Sequence, residues 1–229
     1  MGNPESFLER YTIPIHSAYK YFSIVGKKSI REQRKADIIK AFYTVAKKEG
    51  LENASISKVA DVAKINPSLV MHYFHTREAL MIALNDFILE RYLNIYKVSG
   101  PAIDSREKLN QLIENLFSRK WNRLFDDGVF YSFYAQIYRN KRFRESFKEL
   151  HDTLHLTLKK ALDEAVDNGV LRHPNTRELA NNIFAMVDGA YYYLGLVDDP
   201  AEIDQRLEAY KRLAISMLEL DYQKQSYPI

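Results

Sequence analysis

Between Ser55 and Leu80 the chain sets two short helical segments on either side of a tight turn. Ser55 can cap a helix that holds Ile56, Val59, Ala60 and Ala63. Asn66-Pro67 then opens a second helix, with Asn66 as the cap and Pro67 where the backbone N–H has no intrahelical partner anyway. Small or apolar side chains (Val59, Ala60, Ala63, Ile65, Val70) would hold the two together, leaving the polar remainder outward. A helix-turn-helix corner of this kind can place one helix in the major groove of DNA, but many helical proteins contain such corners.

The punctuation is helical elsewhere too. Ser29 with Glu32 forms a capping box ahead of the stripe Ile38, Ile39, Phe42, Val45, Ala46, and Gly50 ends that helix. Thr76 caps a fourth helix running to about Tyr96, and Val98-Ser99-Gly100-Pro101 reads as a linker. Asp104 with Glu107 opens a fifth, and Asp126-Asp127-Gly128 separates it from an aromatic-rich sixth. A seventh, from about Lys141, carries Leu150, Leu154, Leu158, Leu162 and Val166 on one face and stops at Asn168-Gly169. Asn175 with Glu178 opens an eighth to about Leu196, and Asp199-Pro200 a ninth ending near Leu220. No alternating strand pattern bounded by turns occurs, so the spacing predicts an all-α protein of about nine helices.

Charge is uneven along the chain. Residues 27–77 carry 11 Lys and Arg against 5 Asp and Glu, whereas residues 78–229 carry 20 against 23. A basic N-terminal part on a mildly acidic remainder suits a polyanionic partner for the first part alone. The absence of cysteine excludes disulfides, thiolate zinc sites and thiol nucleophiles, and agrees with a cytoplasmic setting. No apolar run approaches the roughly 20 residues of a membrane span, and His16 and Lys20 interrupt any signal-peptide core. The formal myristoylation pattern at Met1-Gly2-Asn3-Pro4-Glu5-Ser6 is read as a chance match.

The segment Asn66-Pro67-Ser68-Leu69-Val70-Met71-His72-Tyr73-Phe74-His75-Thr76-Arg77-Glu78-Ala79-Leu80 closely resembles the signature of the TetR family of transcriptional regulators. The order His72-Tyr73-Phe74 resembles its choline-responsive BetI branch, and Ser55 to Ala63 is similar to the family's second helix. A looser likeness extends to Gly195 through Asn168-Gly169-Val170-Leu171 and Asp188-Gly189-Ala190. Lys64 departs from the pattern, standing at the turn position where the family usually has glycine; a left-handed lysine there costs on the order of 1 kcal/mol.

The resemblance implies an N-terminal extension (1–28), a three-helix DNA-binding head (29–76), a ligand-binding and dimerisation domain (77–221) and a tail (222–229). It implies that Asn66, Pro67, Ser68 and Leu69 meet the DNA at the start of the recognition helix, the last three facing base edges. Ser55, Ser57, His72, Tyr73 and Arg77 would contact phosphates, and Lys28 and Arg31, with Lys27, would follow the backbone or a flanking minor groove. It further implies a homodimer whose recognition helices sit about 34–36 Å apart on a palindromic operator, or wider where half-sites demand it. A small molecule, apolar or cationic, would enter a cavity lined by Trp121, Phe125, Phe130, Tyr134, Tyr138, His155, Asp188 and Tyr192 and release the DNA. No cofactor or catalytic group is expected. His151 and His155 have metal-compatible spacing, but no third ligand follows at a telling distance, so no metal is expected either. An enzyme has no phosphate loop or nucleophile to support it; a helical interaction protein with a vestigial head, and an activator, stay open.

Overall fold

The computed structural model describes residues 29–97, 104–124, 126–173 and 175–224; among these it is helical, with no β-strand. The extension including Lys28, the linker at 98–101, Phe125 and the last residues of the tail lie outside the described residues. In chain order the helices are α1 (Ile30–Glu49), α2 (Ile56–Ala63), α3 (Pro67–Phe74), α4 (Arg77–Tyr92), α5 (Ser105–Leu116), α6 (Lys120–Leu124), α7 (Asp127–Ile137), α8 (Lys141–Asp167), α9 (Thr176–Leu194) and α10 (Pro200–Lys224). A 3₁₀ turn, Leu93–Tyr96, prolongs α4. The expected nine helices gain the five-residue α6, which is too short to show a period. Helix α10 also runs past the expected stop near Leu220 to Lys224.

Local chemistry sets these boundaries. The Ser29 hydroxyl accepts from the Glu32 N–H at 3.2 Å while the Glu32 carboxylate accepts from the Ser29 N–H at 2.8 Å. The side chains of Ser55, Asn66, Thr76, Asp104, Asp126 and Asn140 each accept from a backbone N–H in the first turn of the helix that follows. Helix α1 ends where Gly50 turns to φ 87°, and a Cβ there would lie 2.8 Å from the Glu52 carboxylate. Lys64 ends α2 at φ 55°, ψ 46°, the left-handed conformation.

Lys64→Gly tests that strain. Removing the Cβ clash returns on the order of 1 kcal/mol, and glycine's freedom in the unfolded chain offsets part of it. Chemical denaturation is expected to show a higher midpoint, a gain in stability below the roughly 1 kcal/mol of the clash. A lower midpoint would mean that the lysine stem packs in a way that outweighs its backbone.

One buried apolar cluster runs from Ile38 in α1 to Leu218 in α10. The 27-residue α8 is its spine, burying Phe143, Phe147, Leu150, Leu154, Leu158, Leu162 and Ala165 along one face. It packs against α4, α5, α7 and α9, and α10 covers α9 and α5. Buried polar groups tie the helices at set heights. The Asn85 amide donates to the Ser146 carbonyl and hydroxyl, and the Asn115 amide to the Ile95 carbonyl at 3.0 Å. Helices α1 to α3 pack together, with α1 and α3 against α4, and α4 packs in turn on α8 and α6.

Candidate nucleic-acid interface and aromatic cavity

Helix α3, packed on α2 and α4, buries Val70 and Phe74, which forces its opposite side outward. Pro67, Ser68 and His72 are exposed, Leu69 and Tyr73 half-buried, and Ser55, Ser57, Asn66 and Arg31 exposed on the same head. Asn66 Oδ1 accepts from both the N–H and the hydroxyl of Ser68, each at 3.0 Å. With its proton so committed, the Ser68 oxygen is left as an acceptor. The His72 and Tyr73 rings meet edge-on at 5.5 Å. Two exposed apolar side chains were not anticipated: Val62, 47% exposed, and Met71, 40%. Their positions between outward polar residues of α2 and α3 were the available signal.

Arg77 is placed otherwise than its expected phosphate contact requires. Its guanidinium is directed inward, donating to the carbonyl of Leu51 and, at 3.5 Å, to that of Ala54. A further N–H lies 3.5 Å from the Met81 sulfur. It fastens the first turn of α4 to the loop between α1 and α2.

In the C-terminal part, five helices line a partly open cavity of about 30 Å³. On the scale where roughly 10–15 Å³ holds one water, that is room for about two. Helix α4 contributes Tyr92, α6 Trp121, and α7 Asp127, Phe130, Tyr131 and Tyr134. Helix α8 adds Leu150, His151 and Leu154, and α9 adds Phe184, Val187, Asp188 and Tyr191. The rings interlock at their edges: Tyr92 on Trp121 at 4.6 Å and on Phe130 at 5.7 Å, Trp121 on Tyr191 at 5.6 Å. The Trp121 N–H donates to the Leu116 carbonyl at 2.9 Å, and the Tyr191 hydroxyl to the carbonyls of Leu116 and Ser118. Burial raises the pKa of the Tyr92, Tyr131, Tyr134 and Tyr191 hydroxyls, that of Tyr134 to about 12, so all four remain protonated donors.

Of the residues expected to line a cavity, Trp121, Phe130, Tyr134 and Asp188 are brought together. Tyr138 is 82% exposed and Tyr192 60% exposed, both outside it. His155 stands just beyond, its ring 4.3 Å from that of Phe184 and its Nδ1 3.0 Å from Asn181 Oδ1. The sequence pattern did not place Tyr92, Asp127 or Tyr131 on these walls, and His151, singled out with His155 for its spacing, is a wall residue as well.

The polar side of the cavity is electrostatically tense. Burial pushes the Asp188 carboxyl up to about 7. Burial, then the neighbouring His155, pulls His151 down to about 4. His151 Nδ1 and Asp188 Oδ2 are 3.6 Å apart, beyond a hydrogen bond. Burial thus disfavours the charged form of both groups.

Two links join the cavity walls to the head. Helix α4 carries Tyr92 at the cavity and Arg77 at the head. Helix α7 supplies four lining residues, and at its cap the Asp126 N–H donates to the Tyr43 hydroxyl of α1 at 3.0 Å, with Lys47 of α1 3.6 Å from the Asp126 carboxylate.

The family model for tetracyclin repressor-like C-terminal domains matches residues 104–220. Solved structures share the fold. A TetR transcription regulator from Haloarcula marismortui is 21% identical at a TM-score of 0.69, over 82% of this chain and 97% of that one. A fatty acid degradation regulator from Bacillus halodurans is 20% identical at 0.63, over 84% and 97%. A transcriptional regulator from Saccharomonospora viridis in complex with choline is 16% identical at 0.61, over 79% and 94%. No curated protein matches by sequence. None of the described helices is long and apolar enough to cross a membrane.

Proposed function

The chain belongs to the tetracyclin repressor-like family of transcriptional regulators, and from that premise we propose that it is a dimeric, sequence-specific repressor released from a palindromic operator by a small organic cation. The observation that carries the reading is the division of labour on α3. One side is locked into the head core by Val70 and Phe74, and the other offers Pro67, Ser68 and His72 to a groove. Ser68, held as an acceptor, suits a base-edge amino group such as adenine N6 or cytosine N4. Leu69, with the outward Val62 and Met71, suits thymine methyls.

The ligand class follows from the cavity. Faces and edges of Tyr92, Trp121, Phe130, Tyr131, Tyr134 and Tyr191 surround it, and the carboxyls of Asp127 and Asp188 are on its wall. Aromatic faces attract ammonium cations, and a nearby carboxylate adds to the attraction. The choline held by the Saccharomonospora viridis protein supports the same class. A cation of that size does not fit about 30 Å³, so its entry moves the walls. Two of those walls, α4 and α7, end on the head, and a ligand that prefers the widened state thereby disfavours the spacing the operator needs.

The test begins with selection from a random duplex pool at physiological salt. A recovered palindrome, bound with affinity that falls steeply with salt, then serves as the target for release by choline and tetramethylammonium. Failure to enrich any sequence with folded, dimeric protein would sink the operator reading. Release by neither cation, on an operator that does bind, would sink the ligand class alone.

Dimerisation is assigned to α9 and α10, which leave Tyr192 and Leu213 exposed, together with Leu196 in the connection between them, 69% exposed. Burying one such leucine in an interface is worth about 1.5–3 kcal/mol, so Leu196→Glu is expected to weaken the dimer by roughly tenfold to a hundredfold or more. Sedimentation at micromolar concentration reads this directly, and an unchanged dimer would move the interface elsewhere.

A further inference from the structure

We propose that His151, His155 and Asp188 form a binding site for one divalent transition-metal ion, with an open coordination position facing the aromatic cavity. The proposal stands on these three side chains and does not depend on the operator reading. His151 and His155 are one turn apart on α8, so they project from one face of the helix. Asp188 reaches them from the neighbouring α9, and one ligand atom from each of the three lies within 4.8 Å of the others. Metal bonds of 2.0–2.1 Å in tetrahedral geometry put ligand atoms roughly 3.3 Å apart. Small rotations of half-buried side chains close that difference.

The surroundings fix both imidazoles. His155 Nδ1 faces Asn181 Oδ1 at 3.0 Å, an oxygen that can only accept, so this nitrogen carries the proton and Nε2 presents its lone pair. The His155 ring lies 4.3 Å from Phe184, and the His151 ring 4.8 Å from Phe147. Two imidazoles and a carboxylate favour zinc, cobalt or nickel over calcium or magnesium, which prefer all-oxygen shells. With three protein ligands the ion keeps a position for water or for a donor atom of a small molecule. His151 and Asp188 are themselves cavity walls, so that position opens onto the cavity.

The experiment is a titration of chelator-treated, full-length protein with cobalt(II) followed by displacement with zinc. It should give one ion per chain and a visible cobalt absorption that zinc abolishes. The variants His151→Gln, His155→Gln and Asp188→Asn should each lose affinity by about a hundredfold or more. Asn181→Ala, an exposed change that leaves all three ligands in place, should lose about tenfold to a hundredfold. Circular dichroism identifies any variant that does not fold, and Asn181→Ala keeps the idea testable if the ligand variants fail. Binding of equal strength in the His151→Gln/His155→Gln double variant would assign the ion to His16, His72, His75 or His173 and overturn the site, as would no binding by folded protein. Operator binding by the metal-free protein is measured alongside, so loss of the metal site and failure of the operator reading are told apart.

Discussion

Replacing Arg77 with alanine is expected to lower stability by about 2–3 kcal/mol and to weaken operator binding while leaving its salt dependence unchanged. The guanidinium donates to the Leu51 and Ala54 carbonyls, 26 and 23 residues earlier in the chain. Hydrogen bonds to charged groups contribute about 1.5–3 kcal/mol each, and the longer Ala54 contact belongs below that range. Leu51 and Ala54 are buried, and the loop they form shapes the start of α2. Losing the clamp loosens the loop and lets α4 drift relative to the head, so fewer molecules hold the recognition helix at its operator spacing. A phosphate contact behaves differently. Each one removed lowers the slope of log K against log salt by about 0.9. Arg31→Ala, an exposed head residue, serves as the comparison. If Arg77→Ala lowers the slope by that amount at unchanged stability, Arg77 is a phosphate ligand in the complex and the inward contacts give way on binding.

Arg77 also marks where sequence reading stops. Caps such as Ser29, Ser55, Asn66 and Thr76 were legible because donor and acceptor stand two or three residues apart. The partners of Arg77 are brought to it only by the packing of α1, α2 and α4. Its place at a helix start invited the anion reading equally well.

The cavity divides along the same line. Phe130 and Tyr134 are four residues apart on α7 and share a face, and both line the cavity. Tyr138 continues that spacing, but α7 ends at Ile137 and the next residue turns to solvent. Tyr191 and Tyr192 are consecutive, hence about 100° apart on a helix; the first faces in and the second out. Choosing between them needs the register of α9, which a run of three tyrosines does not reveal. The neighbour of the His151 and His155 pair was hidden for a related reason. Asp188 lies on another helix, and only the packing of α9 on α8 brings it near.

Trp121→Ala is expected to have the larger effect, lowering stability by about 3–5 kcal/mol and changing what the cavity accepts. Trp121 is 7% exposed and braced by Tyr92 and Tyr191. Truncation forfeits that burial and leaves a void between α4, α6 and α9. The Leu116 carbonyl is not orphaned, because the Tyr191 hydroxyl still donates to it at 3.0 Å. The loss is therefore one of packing and not of hydrogen bonding, and an apolar guest can restore part of it by filling the void. Indole offers the strongest cation–π face of the set, worth about 0.5–2 kcal/mol, so affinity for tetramethylammonium should fall by roughly twofold to thirtyfold. Trp121→Phe keeps most of the bulk and should sit between wild type and alanine in both readouts. Thermal denaturation with and without tetramethylammonium and with a small aromatic such as benzene separates the two effects. A truncated protein stabilised by benzene, and less by the cation than wild type, is the expected result. Equal stabilisation by the cation before and after truncation would place the ligand away from Trp121 and require a different cavity wall.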